Sequence, residues 1–227
     1  MSTRFRNEQK YLVSKPNIEI LKLRLEGMLE KDKHLGDRDA YLIRSVYFDD
    51  PYDTCLHEKQ DGVEDRKKWR IRTYNCDDSF IHLECKRKFR GMTQKEGLKI
   101  TRQEADAAIF GGIEISKERG KLWNEFAMQI LTKGYRPVTI VQYLRTPYIW
   151  GPSNVRITLD QDLSSSELFE KFYDYDLPIR SISPKGISLL EVKFDELLPD
   201  YMRYMLNLEN MRNTSFSKYE LCRRMPI

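Results

Sequence analysis

RKKWRIRTYNCDDSFIHLECKRKFRGMTQKEGLK, residues 66–99, is the stretch whose periodicity decides the fold. Lys68, Arg70, Arg72 and Tyr74 fall on one side of an extended chain, with Trp69, Ile71 and Thr73 on the other. His82, Glu84, Lys86 and Lys88 then oppose Ile81, Leu83, Cys85 and Phe89. In MTQKEGLKI, the residues Lys95, Gly97 and Lys99 share a face. A period of two marks strands that see two environments, so this stretch reads as a three-stranded meander with one apolar and one cationic face. Neighbours on one strand face lie roughly 6.6 Å apart, where two cations repel by about 2.5 kcal/mol at an effective dielectric near 20. Water and salt screen such a pair on an open surface. A field repeated over several strands instead calls for an anion.

Outward from that stretch the pattern recurs. Arg4 to Val13 alternates, with Arg6, Glu8 and Lys10 opposite Phe5 and Tyr11. Tyr41 to Asp49 and Arg136 to Ile149 read as aromatic strands. Asn154 to Gln161 sets Arg156, Thr158 and Asp160 against Val155, Ile157 and Leu159, and Ile187 to Asp195 sets Glu191, Lys193 and Asp195 against Leu190, Val192 and Phe194. Helices are expected after Pro16, around Leu56, over Ala105 to Phe110, over Lys121 to Lys133 with Gly134 as the stop, after Pro199, and from a Ser215 or Ser217 cap to Met225. Leu163 to Gly186 reads as a loop with one short helix. Asp49 and Asp50 read as turn residues, and His82 as a lining or rim residue.

Composition excludes several classes. At 227 residues, 40% apolar and 33% charged, the chain fits one globular domain, residues 1–227. A net charge of +4 is too small to point to nucleic acid, yet Arg66 to Arg72 holds five cations in seven residues. Cys55, Cys76, Cys85 and Cys222 show no metal spacing and read as free thiols. Without a leader-like or membrane-spanning run, a cytoplasmic protein is expected.

About eight strands, at least five with one charged and one apolar face, and helices outside imply an α+β fold: an eight-stranded antiparallel closed β-barrel around a wet lumen. Lys10, Arg70, Arg72, Lys86, Lys99, Arg156 and Lys193 would line it, with fewer acids, chiefly Glu8, Glu84 and Glu191. Arginine forks suit phosphate oxygens, so the lumen reads as a trap for a polyanion. The alternative is cross-strand salt bridges to Glu8, Glu84 and Asp160. If the cations serve only a ligand, replacing Arg70 and Arg72 relieves repulsion and leaves the fold intact.

The order KYLV from Lys10, SVYFDD from Ser45, RxR at Arg70 and Arg72, ExK at Glu84 and Lys86, RPV from Arg136, VRITLD from Val155, LEVKFD from Leu190 and FSKY from Phe216 resembles the vacuolar transporter chaperone (VTC) domain. That is the polyphosphate polymerase branch of the triphosphate tunnel metalloenzymes. The resemblance implies transfer of the γ-phosphate of ATP to polyphosphate, with Lys10, Arg70, Arg72, Lys86 and Glu191 catalytic. It implies phosphate contacts from Lys10, Arg70, Arg72, Lys86, Lys99, Arg136, Arg156, Lys193 and Lys218. It implies a divalent metal, Mn²⁺ or Mg²⁺, on Glu191, with Glu84 either a second ligand or simply an ion-pair partner. A triphosphatase or a polyphosphate-binding accessory protein are the other readings. Arg6 replaces the first acid of the superfamily's ExExK, and Ser215 stands where the family's polymerase has a second lysine. No companion regulatory domain or membrane helix is read in these residues, so a membrane or regulatory partner is implied.

Overall fold

The computed structural model describes residues 7–32, 35–89, 92–183, 186–207 and 211–224. Arg4 and Arg6, expected in the first strand, lie outside them, as do Arg90 and Met225. The strands are β1 (Asn7–Ser14), β2 (Glu30–Lys31), β3 (Tyr41–Asp49), β4 (Arg66–Tyr74), β5 (Asp77–Phe89), β6 (Met92–Ile100), β7 (Arg136–Trp150), β8 (Val155–Ser166), β9 (Arg180–Ser181) and β10 (Ile187–Phe194). The helices are α1 (Lys15–Glu26), α2 (Thr54–Gln60), α3 (Arg102–Phe110), α4 (Gly120–Lys133), α5 (Asp200–Leu206) and α6 (Lys218–Arg224). No helix among the described residues is long and apolar enough to cross a membrane.

The long strands form one antiparallel sheet in the order β1-β10-β8-β7-β3-β4-β5-β6, with β2 on β7 and β9 on β8. Register follows chemistry: Ile71 lies opposite Leu83 and Arg70 opposite Glu84, so apolar and charged faces each stay continuous. The outer face is apolar and covered by helices. Trp69, Ile71, Leu83, Val46 and Phe48 pack with α3 and α4, where Phe126 stacks on Trp69 at 5.2 Å and meets Phe48 edge-on at 4.9 Å. At the other end Ile18, Leu21 and Leu25 of α1 and Met202 and Leu206 of α5 cover Tyr11, Ile157, Leu190 and Val192. Gly134 ends α4 with φ +68, a left-handed cap that glycine adopts without strain.

The sheet does not close into the expected barrel: β1 and β6 end the strand path. The reason lies in the segment before α6. Thr214 donates its N–H to the Lys10 carbonyl at 2.9 Å, and Asn213 Oδ1 accepts from the Lys10 N–H at 3.4 Å. The free edge of β1 is thus occupied by residues far along the chain, and side chains bridge the gap instead, Lys86 of β5 reaching Glu8 of β1 at 3.1 Å.

The concave side is not an open wet tube along its whole length either. α6 lies on it, with Tyr219 and Cys222 buried among Tyr47, Val138, Val141 and Tyr143. Its cap is Ser217, whose Oγ accepts from the Glu220 N–H at 3.4 Å. In Leu163 to Gly186 the one short helix is a 3-10 turn at Phe169–Lys171, but the start of the segment departs from the loop reading. β8 bends at Asp162, φ +53, then continues through Ser164, Ser165 and Ser166, all buried and paired with β7. Serines that look like loop residues are here a ladder whose backbone groups β7 satisfies.

Asp49 serves its turn and also the last helix. Its carboxylate accepts from the N–H groups of Asp50 and Cys55 at 2.9 Å, from Leu56 N–H at 3.2 Å, and from the Tyr219 hydroxyl at 2.5 Å. Asp49→Ala orphans four buried donors, and about 3 kcal/mol of stability should be lost in urea titration. A change under about 1 kcal/mol would remove Asp49 as the clamp between β3 and α6.

Candidate functional site

The concave face gathers side chains from eight elements. Strand period puts Glu8 and Lys10 (β1), Glu191 and Lys193 (β10), Asp160 (β8), Arg145 (β7), Arg70 and Arg72 (β4), Glu84 and Lys86 (β5) and Lys95 (β6) on that side, and α6 adds Lys218. Among the described residues eight cations of this cluster meet four carboxylates.

Three knots hold it. Glu84, 2% exposed, takes Arg70 Nη2 at 2.6 Å and Nε at 2.7 Å, Arg72 Nη1 at 3.8 Å, and Lys95. Arg70 also donates to the Tyr47 hydroxyl at 2.8 Å, and Arg72 to Ser45 Oγ at 3.1 Å and the Tyr143 hydroxyl at 3.3 Å. In the second knot Arg145 grips both Asp160 oxygens at 2.6 Å, while Lys218 contacts Asp160 at 2.7 Å and Glu191 at 3.2 Å. Glu191 further meets Lys193 at 3.3 Å, Arg145 at 3.4 Å and Lys10 at 3.8 Å. Glu8 forms the third, with Lys86 at 3.1 Å, Lys193 at 3.2 Å and Lys10 at 4.0 Å.

The acids respond to this field. Burial raises the Glu8 carboxyl, but Lys193, Lys86 and Lys10 outweigh it and hold the group at about 2. Burial is likewise overcome at Glu84 by Arg70, Arg72 and Lys95, and at Glu191 by Lys218, Lys193, Lys10 and Arg145, leaving both well below the ordinary range. Burial pushes Lys68 down to about 8, with Arg66, Lys59 and Lys86 adding to the effect.

Of the residues expected from sequence, Lys10, Arg70, Arg72, Lys86, Lys193, Lys218, Glu84 and Glu191 are brought together. Lys99, Arg136 and Arg156 are not. Lys99 is exposed beside Phe80, its Nζ 5.7 Å from the ring centroid. Arg136 is exposed at the start of β7. Arg156 turns to Asp32 at 3.1 Å and the Tyr41 hydroxyl at 3.3 Å. Arg145 and the structural weight of Asp160 are what sequence reading missed. The sequence offered only the alternation of Tyr143 and Arg145 within an aromatic strand; the register that sets Arg145 across from Asp160 belongs to the fold.

A divalent cation suits hard carboxylate oxygens, and Mg²⁺ commonly takes one or two carboxylates plus substrate phosphates. Glu191 and Glu8, joined through Lys10 and Lys193, fit that donor set. Among the described residues no three His, Cys, Asp or Glu side chains form a ready-made metal site. Glu84 is enclosed by two guanidinium groups and an ammonium, as Glu191 is by Lys218, Lys193, Arg145 and Lys10.

The sequence matches the family model described as VTC domain over residues 5–225. No curated protein matches it. Solved structures of similar fold include a candidate adenylate cyclase from Bacillus halodurans, at 17% identity, 96% coverage of each chain and TM-score 0.56. A Hippeastrum protein, a candidate adenylyl cyclase with a dominant triphosphatase activity, matches at 15% identity over 96% of this chain and 94% of its own, TM-score 0.55. A Pyrococcus horikoshii protein matches at 13% identity, 95% and 94% coverage and TM-score 0.51. At these identities the likeness is one of fold.

The expectation that losing Arg70 and Arg72 spares the fold is corrected by Glu84, which would be left buried with Lys95 alone. Arg70→Ala should cost about 3 kcal/mol, and adding Glu84→Gln should recover part of it, because breaking one side of a buried pair costs more than removing both. A double-mutant cycle by urea unfolding that finds additive losses would dissolve the pair. Low pH acts on the same field. A depressed carboxyl contributes fully above its unfolded value, 4.5 for Glu8, and is lost as pH falls to about 2. Melting temperature should therefore fall from pH 4.5 towards 2, less steeply in Glu8→Gln. Identical slopes would clear Glu8 of this role.

Proposed function

The chain belongs to the VTC domain family, and from that premise we propose that it is an ATP-dependent polyphosphate polymerase. The observation that carries the reading is the convergence of eight cations from separate elements on the concave face, twice the number of carboxylates they meet among the described residues. A string of phosphoryl groups can take over the surplus. In the reaction, a terminal oxygen of the polyphosphate attacks the γ-phosphorus of ATP. The bond from the γ-phosphorus to the β–γ bridging oxygen breaks, its electron pair leaves with ADP, and the polymer grows by one unit.

Lys10, Arg70, Arg72, Lys86, Arg145, Lys193 and Lys218 neutralise charge on the reacting phosphates, with Lys99, Arg136 and Arg156 further out as secondary contacts. Phosphoryl transfer needs chiefly positioning and charge stabilisation. The nucleophile is already an anion, so a general base is not required. That favours polymerisation over hydrolysis here: Glu8, Glu84, Asp160 and Glu191 are all bound to cations and shifted down, which makes them weak bases towards water. Glu191, with Glu8 beside it, would hold Mn²⁺ or Mg²⁺, which supplies further charge neutralisation when bound.

Incubating the protein with ATP and Mn²⁺ or Mg²⁺ should yield long polymer on a gel, and Glu191→Gln should lose turnover while retaining polymer binding. Phosphate release without polymer would make it a triphosphatase. Tight polymer binding with no turnover by the unaltered chain would make it an accessory binder.

A further inference from the structure

The hairpin end of β4 and β5 carries a file of rings that the phosphate cluster does not use. Tyr41 and Tyr74 meet edge-on at 5.5 Å between centroids, Tyr74 and Phe80 at 5.9 Å, and Phe80 and His82 at 4.5 Å with a 38° tilt. The file is anchored inside, where Tyr41 is buried, reaches solvent at Phe80, which is 43% exposed, and ends at the half-buried His82. Phe80, His82, Glu84 and Lys86 share one face by strand period. His82 lies across from Arg72 on one side and Lys99 on the other, so the rings run directly into the guanidinium groups. α6 meets the opposite end: its partners include Asp53, and its neighbour Ser217 lies 3.5 Å from Lys68 Nζ. Among the described residues these polar contacts of α6 lie at the Lys68 end; Tyr41 and Tyr74 share an apolar cluster with its Tyr219 and Cys222, and Phe80 stays exposed.

An open aromatic surface that leads within two residue steps to arginines has the chemistry of a nucleotide: a flat π face first, a row of anions next. We propose that Phe80, His82 and Tyr74 form a nucleobase platform, which seats a nucleoside triphosphate with its base at this rim and its phosphates towards Arg72 and Arg70. The inference rests on the triphosphate reading above and adds to it the direction in which the substrate lies. Every base has a π face, so stacking is tolerant of base identity, and ATP and GTP should bind about equally. Inorganic tripolyphosphate has no base and should gain nothing from the rings.

The test compares ATP with inorganic tripolyphosphate by calorimetry on the full chain and on Phe80→Ala, Phe80→Leu and Phe80→Trp, with melting temperatures as the fold control. Loss of one stacked base is expected to weaken ATP about tenfold in Phe80→Ala and Phe80→Leu, with Phe80→Trp near the unaltered chain. Tripolyphosphate affinity should stay constant throughout. Unchanged ATP affinity, or equal losses for both ligands, overturns the platform while tripolyphosphate binding by the unaltered chain keeps the triphosphate reading. If the unaltered chain binds neither ligand, both fall.

Discussion

Cations and carboxylates on the concave face hold each other in place, and most of the structure follows from that exchange. Glu84, Asp160 and Glu191 are nearly fully buried, and a buried carboxylate is tolerable only when paired and hydrogen-bonded. Each is met by arginine or lysine from a different strand or from α6, so the strands are bound through their charges as well as through their ladders. The same pairing leaves more positive than negative charge in the cluster. One arrangement thereby meets the structural need for partners and keeps an unspent attraction for phosphate.

The apolar outer face makes this arrangement affordable. Trp69, Phe48 and Phe126 on one side and Ile18, Leu190 and Met202 on the other remove large side chains from water, each worth about 1.5–3 kcal/mol when fully buried. Arg44 is the exception that shows the rule. It points into the outer core, fully buried, and donates to Gln142 Oε1 at 2.7 Å and to the carbonyls of Phe172 and Asp174 at 2.7 and 2.6 Å. A guanidinium among carbonyl oxygens ties the 169–174 segment to β3 and has no access to the concave face.

The C-terminal segment has two tasks that together shape the site. Asn213 and Thr214 take the edge of β1, which keeps the sheet from closing on β6. Lys218 enters the carboxylate cluster while Tyr219 locks onto Asp49. Lys10 also donates to the Phe216 carbonyl at 3.1 Å, so the first strand and the last helix share a residue of the cluster. Residues at the two ends of the chain thus complete one charged surface.

Much of this was legible in the residues themselves. Alternation along Lys68 to Tyr74, His82 to Phe89 and Ile187 to Asp195 assigned the strands, their two faces and the cationic side, because side-chain direction in a strand depends only on position along it. Helical spacing and the Gly134 stop were local too. Tertiary structure alone decided which cation meets which acid, that Arg145 belongs among them, that Lys99, Arg136 and Arg156 stand apart, that Ser164 to Ser166 form a ladder and not a loop, and that the sheet stays open. Those outcomes depend on pairing across the chain, Lys10 with Phe216 or Arg145 with Glu191, and no short-range pattern encodes a contact between residues so far apart.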